Sequence, residues 1–121
     1  MGKFFICCAT AIVFSASIAY AADWRLYSAN DVYKYFYDAA GIKRTGHNIF
    51  KVRAKEVAGS NMTKVLTEIN CSTKEIRVHS ITIFDVATNK TIASYKYDSP
   101  PWDFIHPEPE GESLIKAICK K

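Results

Sequence analysis

The sequence lacks the motifs on which most small enzymes depend. No nucleophile elbow, phosphate-binding glycine loop or closely spaced pair of metal ligands occurs in its 121 residues. The three histidines, His47, His79 and His106, lie far apart along the chain, whereas zinc motifs usually contain a closely spaced ligand pair. We therefore predict no catalytic residue, no metal site and no cofactor, and we expect a protein that is not an enzyme.

Dense runs of basic charge and internal repeats are also missing. The formal net charge is +4 at pH 7, and the lysines and arginines form no concentrated stripe of the kind that nucleic-acid-binding domains show. A chain of this length without a repeat or a linker suits one domain. These absences argue against nucleic acid as a partner, while the mild positive charge is compatible with an acidic protein or polysaccharide.

The N-terminal residues have the pattern of a secretory signal peptide. Lys3 supplies a positive charge, an uncharged and mostly apolar stretch follows, and Ala19-Tyr20-Ala21 provides the small residues that a signal peptidase needs. We predict a leader over residues 1–21 and a mature domain over residues 22–121 that is exported to the periplasm, the cell surface or the medium. The alternative is retention as a membrane anchor, because the uncharged stretch is just long enough to span a bilayer.

Four cysteines are present, and two of them would leave with the leader. Ile6 rather than a small residue precedes Cys7, so the sequence predicts no lipid anchor. Cys71 and Cys119 remain, and an even pair in an exported chain indicates a disulfide. Two free thiols and an intermolecular bridge are the alternatives.

Alternating polar and apolar residues indicate strands along most of the mature chain. We predict six strands, over residues 23–27, 33–37, 49–56, 63–71, 76–84 and 91–97, and a helix over residues 113–120. In the fifth strand the inward phase changes from Ile76 and Val78 to Ile81 and Ile83, which predicts a β-bulge near Ser80. Because short connections require antiparallel neighbours, the predicted fold is α+β: a meander-like antiparallel sheet of about six strands, with the C-terminal helix packed on one face and a single disulfide joining that helix to the fourth strand.

A row of basic residues on the third predicted strand is the candidate binding surface. Lys51, Arg53 and Lys55 alternate with apolar residues and therefore share one face, and Lys64 on the next strand falls on the same side. The row is either a patch for acidic ligands or an ordinary solvated sheet face. Trp102 is a further candidate, which either contacts a ligand or caps the core beneath a proline-containing segment.

Two other groups of residues have alternative interpretations. Several tyrosines either pack in the sheet or form a recognition surface, namely Tyr27, Tyr33, Tyr35, Tyr37, Tyr95 and Tyr97. Clustered carboxylates near the C-terminus either act as acid and base in a small secreted hydrolase or are solvated charges at the start of a helix, namely Asp103, Glu108, Glu110 and Glu112. The second interpretation is favoured, because a helix N-terminus attracts acidic residues.

A recognisable order of short segments runs through the mature chain. The segments are Trp24, Tyr37-Asp38, Ile42 to Asn48, Glu68 to Cys71, Ile76-Arg77-Val78, Phe84-Asp85, then Trp102, Ile105 and Pro107, and finally Leu114 to Cys119. This order resembles the surface-adhesin protein E-like family of Gram-negative bacteria. The resemblance implies an exported, non-enzymatic binding protein that engages host matrix or envelope partners through a sheet face or edge. The alternative is an envelope structural or assembly protein that self-associates, for example as a homodimer, and has no adhesive role.

Overall fold

The computed structural model describes residues 21–105 and 108–120, so the predicted leader lies outside the described residues except for Ala21. The described residues form eight strands and one α-helix: β1 (Trp24–Ala29), β2 (Lys34–Asp38), β3 (Lys43–Gly46), β4 (Ile49–Ala58), β5 (Asn61–Asn70), β6 (Glu75–Asp85), β7 (Lys90–Lys96), β8 (Asp103–Phe104) and α1 (Pro109–Cys119). One turn of 3-10 helix, Ala39–Gly41, separates β2 from β3.

All of the strands belong to one antiparallel sheet whose order follows the chain. The path is β1-β2-β4-β5-β6-β7, with β3 beside β4 and β8 beside β6. Strands β2 and β3 occupy successive stretches of the same edge of β4, because β2 pairs with residues 54–57 and β3 with residues 49–51. The six predicted strands are therefore confirmed as a meander, and the two short strands complete it.

The two strands that the sequence pattern missed are short and carry no apolar alternation. Strand β3 reads Lys43-Arg44-Thr45-Gly46, and β8 has two residues. Both are held by backbone pairing to a longer neighbour, and periodicity does not report such pairing. Ile42, which directly precedes β3, packs against the core.

Helix α1 begins four residues earlier than predicted. Pro109 occupies the first turn, where its missing N–H is not needed, and the amide of Glu112 donates to the Glu108 carbonyl at 3.0 Å. The prediction was wrong here because it assigned the prolines to an irregular segment. Glu110 and Glu112 lie in the first turn, as the helix dipole favours.

The predicted β-bulge in β6 is confirmed. Leu66 pairs with Ser80 whereas Thr67 pairs with Val78, so His79 is the extra residue. Ile76 and Val78 before the bulge, and Ile81 and Ile83 after it, pair with core-facing residues of β5. One extra residue thus keeps both halves of a long strand apolar on the same side.

The core lies between one face of the sheet and helix α1. Its buried residues are Tyr37, Val52, Ile69, Leu114 and Ile118. Val52 and Ile69 have no exposed surface, and Leu114 and Ile118 bring the helix onto them. We call this side of the sheet the inner face and the opposite side the outer face.

The predicted disulfide joins Cys71 and Cys119, whose Cα atoms are 5.6 Å apart. Cys71 directly follows β5, and Cys119 is the last residue of α1. The bond therefore ties the end of the helix to the centre of the sheet, and both cysteines pack against the core.

The tyrosines divide into a packed group and an exposed group. Tyr37 is buried, and its ring centroid lies 6.2 Å from that of Tyr27. The ring centroid of Tyr27 lies 5.9 Å from that of Tyr35. Burial raises the pKa of the Tyr27 hydroxyl well above its ordinary value, with smaller contributions from Tyr35 and nearby carboxylates. Tyr95 and Tyr97, by contrast, are about half exposed near the far edge of the sheet.

Candidate binding surface

The candidate basic residues lie together on the outer face. Within β4, Val52 and Ala54 are buried on the inner face, so Lys51, Arg53 and Lys55 point the other way. Strand β5 places Lys64 directly opposite Lys55. The structure thus confirms where these four side chains lie on the sheet, while their binding role stays a prediction.

Lys55 and Lys64 form a pair of like charges in front of an aromatic ring. The Lys55 Nζ atom lies 4.4 Å from the centroid of the Trp24 ring, and the Lys64 Nζ atom lies 5.9 Å from it. Burial lowers the pKa of Lys55, and the neighbouring charge of Lys64 lowers it further. Like charges directly opposite each other destabilise a sheet, and the Trp24 ring offsets part of that cost by attracting both ammonium groups.

Two phenylalanines flank this pair. The Lys55 Nζ atom lies 5.3 Å from the Phe36 ring centroid, and the Lys64 Nζ atom lies 5.4 Å from the Phe84 ring centroid. We call the set of Trp24, Phe36, Lys55, Lys64 and Phe84 the lysine-aromatic cluster. It combines two positive charges with three apolar rings on adjoining strands, a composition that suits an anionic ligand with apolar parts.

A second group of side chains is organised around Glu68 at the other end of the outer face. Thr45 donates to one carboxylate oxygen at 2.6 Å, and Arg77 and His79 each lie 2.8 Å from the other. Burial alone would raise the pKa of Glu68, but the hydrogen bonds from Thr45, His79 and Arg77 outweigh it and lower this pKa to about 2. Glu68 therefore stays ionised and joins β3, β5 and β6.

Trp102 belongs to this second group. Its ring lies over the Arg77 guanidinium, whose central carbon is 4.4 Å from the ring centroid. The side chain is half-buried and lies outside the cluster of core residues, and its role as a ligand contact stays a prediction. Register places Lys51 beside this second group, since Lys51 pairs with Glu68 and Glu68 pairs with Arg77.

Two grooves run along the outer face on either side of Arg53 and Leu66. One of about 510 Å³ is lined by both residues together with Ile42, Lys43 and Lys51. The other, of about 250 Å³, includes Trp24, Lys64, Ser80 and Thr82 in its wall. Each groove has basic side chains in its wall: Lys43, Lys51 and Arg53 in the first, Arg53 and Lys64 in the second.

Sequence reasoning identified the lysines but missed their aromatic and acidic neighbours. Arg77 could have been found, because it stands between the inward Ile76 and Val78 and must point outward. The position of Trp24 beside Lys55 and Lys64 could not, since it depends on how β1 pairs with β2 and β2 with β4 in the folded sheet.

The remaining candidates do not converge on a reaction centre. Asp103, Glu108 and Glu112 are exposed, and Glu110 lies in the first turn of α1. His47 is exposed in a turn, His79 is bound to Glu68, and His106 lies outside the described residues. Within residues 21–105 and 108–120, no three metal-ligating side chains are grouped closely enough to hold a metal ion.

The fold and the outer face define a class: a small antiparallel domain closed by one disulfide, with basic and aromatic side chains displayed on the side away from its helix. The model of the family "Surface-adhesin protein E" matches residues 24–120, and the chain belongs to that family. No curated protein and no solved structure matches the chain.

The family match covers the whole sheet, the helix and both cysteines of the disulfide. It agrees with the order of segments from which the resemblance was inferred, and it identifies the chain as one of a family of surface proteins. Among the described residues, no helix is both long and apolar enough to cross a membrane.

Proposed function

We propose that the domain is an exported, non-enzymatic binding module that holds an acidic partner on the outer face. One observation carries this proposal: Lys55 and Lys64 stand directly opposite each other beside Trp24. An anion placed between the two ammonium groups is attracted by both and relieves their mutual repulsion. Family membership supports adhesion to a surface partner as the purpose of such contacts.

The most strongly perturbed carboxylate supports a binding role over a catalytic one. Glu68 already accepts hydrogen bonds from Thr45, Arg77 and His79, which hold it ionised and join three strands. A general acid or base needs a pKa near the working pH, and a carboxyl group with a pKa of about 2 is far from it. We infer that Glu68 shapes the outer face and takes no part in proton transfer.

A paired substitution tests the proposal. The variant Lys55→Gln/Lys64→Gln removes the two charges beside Trp24, and the matched control Lys90→Gln/Lys116→Gln removes two exposed charges from the start of β7 and from helix α1. Binding to immobilised heparin and to immobilised poly-glutamate is measured by biolayer interferometry. We expect the first variant to lose about tenfold in affinity for the preferred polyanion, and the control to stay within about twofold.

The two probes separate the chemistry of the partner, because heparin presents sulfates on a sugar chain and poly-glutamate presents carboxylates on a polypeptide. Equal losses in the two variants would mean that overall charge, not this site, drives binding. Unchanged affinity of the Lys55→Gln/Lys64→Gln protein would also contradict the proposal.

Self-association through a sheet edge is a second candidate function. Strand β7 ends the sheet among the described residues, and Ile92 and Tyr95 on it are 59% and 51% exposed. Such an edge can pair with the same strand of another copy. Light scattering of the mature protein at high concentration should then give a dimer mass that the substitution Ile92→Lys converts to a monomer mass. A monomer mass for the unsubstituted protein would remove this candidate.

We further propose that the chain reaches the periplasm, the cell surface or the medium after removal of residues 1–21. Fractionation of producing cells, followed by intact-mass measurement, distinguishes these destinations and identifies the N-terminal residue. Recovery of the chain only in the inner membrane with its leader attached would contradict the proposal.

A further inference from the structure

An orphaned carboxylate oxygen lies beneath the start of strand β1. Asp38, the last residue of β2, has no exposed surface. Its Oδ1 atom accepts hydrogen bonds from the Asp23 amide at 2.8 Å and from the Ala40 amide at 3.1 Å. Its Oδ2 atom is buried and has no hydrogen-bond partner among the described residues. A buried acceptor without a donor is costly, and a charged one more so.

The candidate donor for Oδ2 is the nitrogen of Ala22, the residue before Asp23. Asp23 donates its amide to Oδ1, and its carbonyl accepts from the Ala39 amide at 2.8 Å, so the backbone at this point is fixed against Asp38. Consecutive Cα atoms are about 3.8 Å apart. The nitrogen of Ala22 is three bonds from that of Asp23, so rotation of a freed N-terminus would bring it to the second carboxylate oxygen, to which the Ala22 amide makes no hydrogen bond in the uncleaved chain.

Ala22 is also the residue at which the leader is predicted to end. In the uncleaved chain its nitrogen is a neutral amide. Hydrolysis of the Ala21–Ala22 bond consumes one water, leaves a carboxylate on Ala21 and frees an amine on Ala22. That amine has an ordinary pKa of about 8 and takes up a proton at neutral pH.

We propose that Asp38 is a receptor for the α-ammonium group of Ala22, which comes into being only when the leader is removed. The ammonium supplies both the hydrogen-bond donor and the positive charge that Asp38 Oδ2 lacks. Removal of the leader then completes the folded state, because the chain gains an ionic attachment two residues before β1. This inference rests on the predicted cleavage position and is independent of any partner on the outer face.

Neighbouring charges do not offer the same bond. Arg25 is exposed and is engaged by the Asp23 carboxylate at 2.9 Å. The Asp23 carboxylate is itself half exposed, so water satisfies it in either form of the chain. Among the acidic groups near Ala22, Asp38 alone combines complete burial with an unpaired oxygen in the described residues.

The test compares the exported protein with a chain that carries one additional alanine between Ala21 and Ala22. Intact mass identifies the N-terminal residue of each product. The insertion moves the ammonium group one residue away from Asp38 while leaving its charge and the mature fold in place. We expect the equilibrium constant for unfolding, measured in urea, to be about tenfold or more higher for the chain with the added alanine than for the exported protein.

The substitution Asp38→Asn supplies the second arm, because the asparagine oxygen still accepts from the Asp23 and Ala40 amides but carries no charge. In this background the insertion should change the unfolding constant by less than about twofold. The exposed Asp31→Asn serves as the matched control and should retain the full effect of the insertion. An insertion effect that is absent from the unsubstituted protein, or equally large in the Asp38→Asn protein, overturns the proposal.

Amine reactivity gives a readout that does not depend on the Asp38→Asn chain folding. An ammonium paired with Asp38 should be acylated several-fold more slowly in the exported protein than in the chain with the added alanine, with peptide mapping used to separate Ala22 from the lysines. Equal rates would overturn the proposal, as would an exported protein whose first residue is not Ala22.

Discussion

Glu68 and Lys55 are two charged residues on the same sheet face in opposite situations. Glu68 is nearly fully buried and is surrounded by donors, whereas Lys55 is half-buried beside another lysine. The first charge is satisfied within the domain, and the second is satisfied only in part by the Trp24 ring. Because of this difference, we assign a structural role to Glu68 and a binding role to Lys55.

The carboxylate of Glu68 should stabilise the fold in a pH-dependent manner. Because its pKa falls from an ordinary value of 4.5 to about 2 on folding, Glu68→Gln should lower the free energy of unfolding at pH 7 by about 3 kcal/mol. The contribution is fully present above the unfolded pKa and disappears as the pH falls from 4.5 towards about 2. Urea denaturation at several pH values measures it.

The exposed Glu112→Gln is the control for that series and should shift stability by less than about 0.5 kcal/mol. A Glu68→Gln deficit of the same size at pH 7 and at pH 2.5 would show that the carboxylate charge is not the cause.

The lysine pair should reveal its coupling in a titration. Removing the charge of Lys64 by Lys64→Gln should raise the pKa of Lys55 towards its ordinary value, although burial keeps it below that value. NMR of the lysine side chains over pH 8 to 12 measures this shift directly. The substitution Lys90→Gln, which removes an exposed charge from the first residue of β7, should leave the Lys55 titration where it is.

At the scale of elements, helix α1 closes the core with two side chains. Leu114 and Ile118 are 6% and 8% exposed, and they cover Val52 and Ile69 on the sheet. Truncation by Leu114→Ala should therefore lower the free energy of unfolding by about 2–5 kcal/mol, as expected for a cavity in a packed interior. Thermal and urea unfolding both report it.

Lys116 lies on the exposed side of the same helix and supplies the comparison. If Lys116→Ala proved as damaging as Leu114→Ala, helix propensity and not burial would explain the loss.

Sequence patterns predicted the long elements well because each carries its own periodic signal. The alternation in β4 and the phase change in β6 gave the inward residues and the bulge at His79. Strand β3 and the early start of α1 were missed because one depends on backbone pairing to β4 and the other on a proline that patterns treat as a break. The alternation of side chains along a strand was enough to place the candidate lysines on one face, whereas the contact of Lys55 with Trp24 depends on tertiary structure.

For the whole molecule, the disulfide is the principal covalent constraint in the described residues. Cys71 and Cys119 are 48 residues apart in the sequence, so the bond closes nearly half of the mature domain. Replacing either cysteine with alanine should lower the free energy of unfolding by about 2–5 kcal/mol, mainly because the unfolded chain regains the freedom of that loop.

The measurement for the disulfide is a melting curve with and without a reducing agent. We expect the melting temperature to fall on reduction and the Cys71→Ala protein to melt at the lower temperature under both conditions. An unchanged melting temperature after complete reduction would contradict the structural role of the bond.

The whole-molecule account proposes that the side of the sheet away from α1 is the binding side, with the lysine-aromatic cluster as its anionic site. The most direct test is NMR of the lysine side chains during titration of the exported protein with heparin or poly-glutamate. The account predicts that the signals of Lys55 and Lys64 shift first and furthest, while those of Lys90 and Lys116 move little. Shifts of similar size at all four lysines, or shifts that spare Lys55 and Lys64, would contradict it.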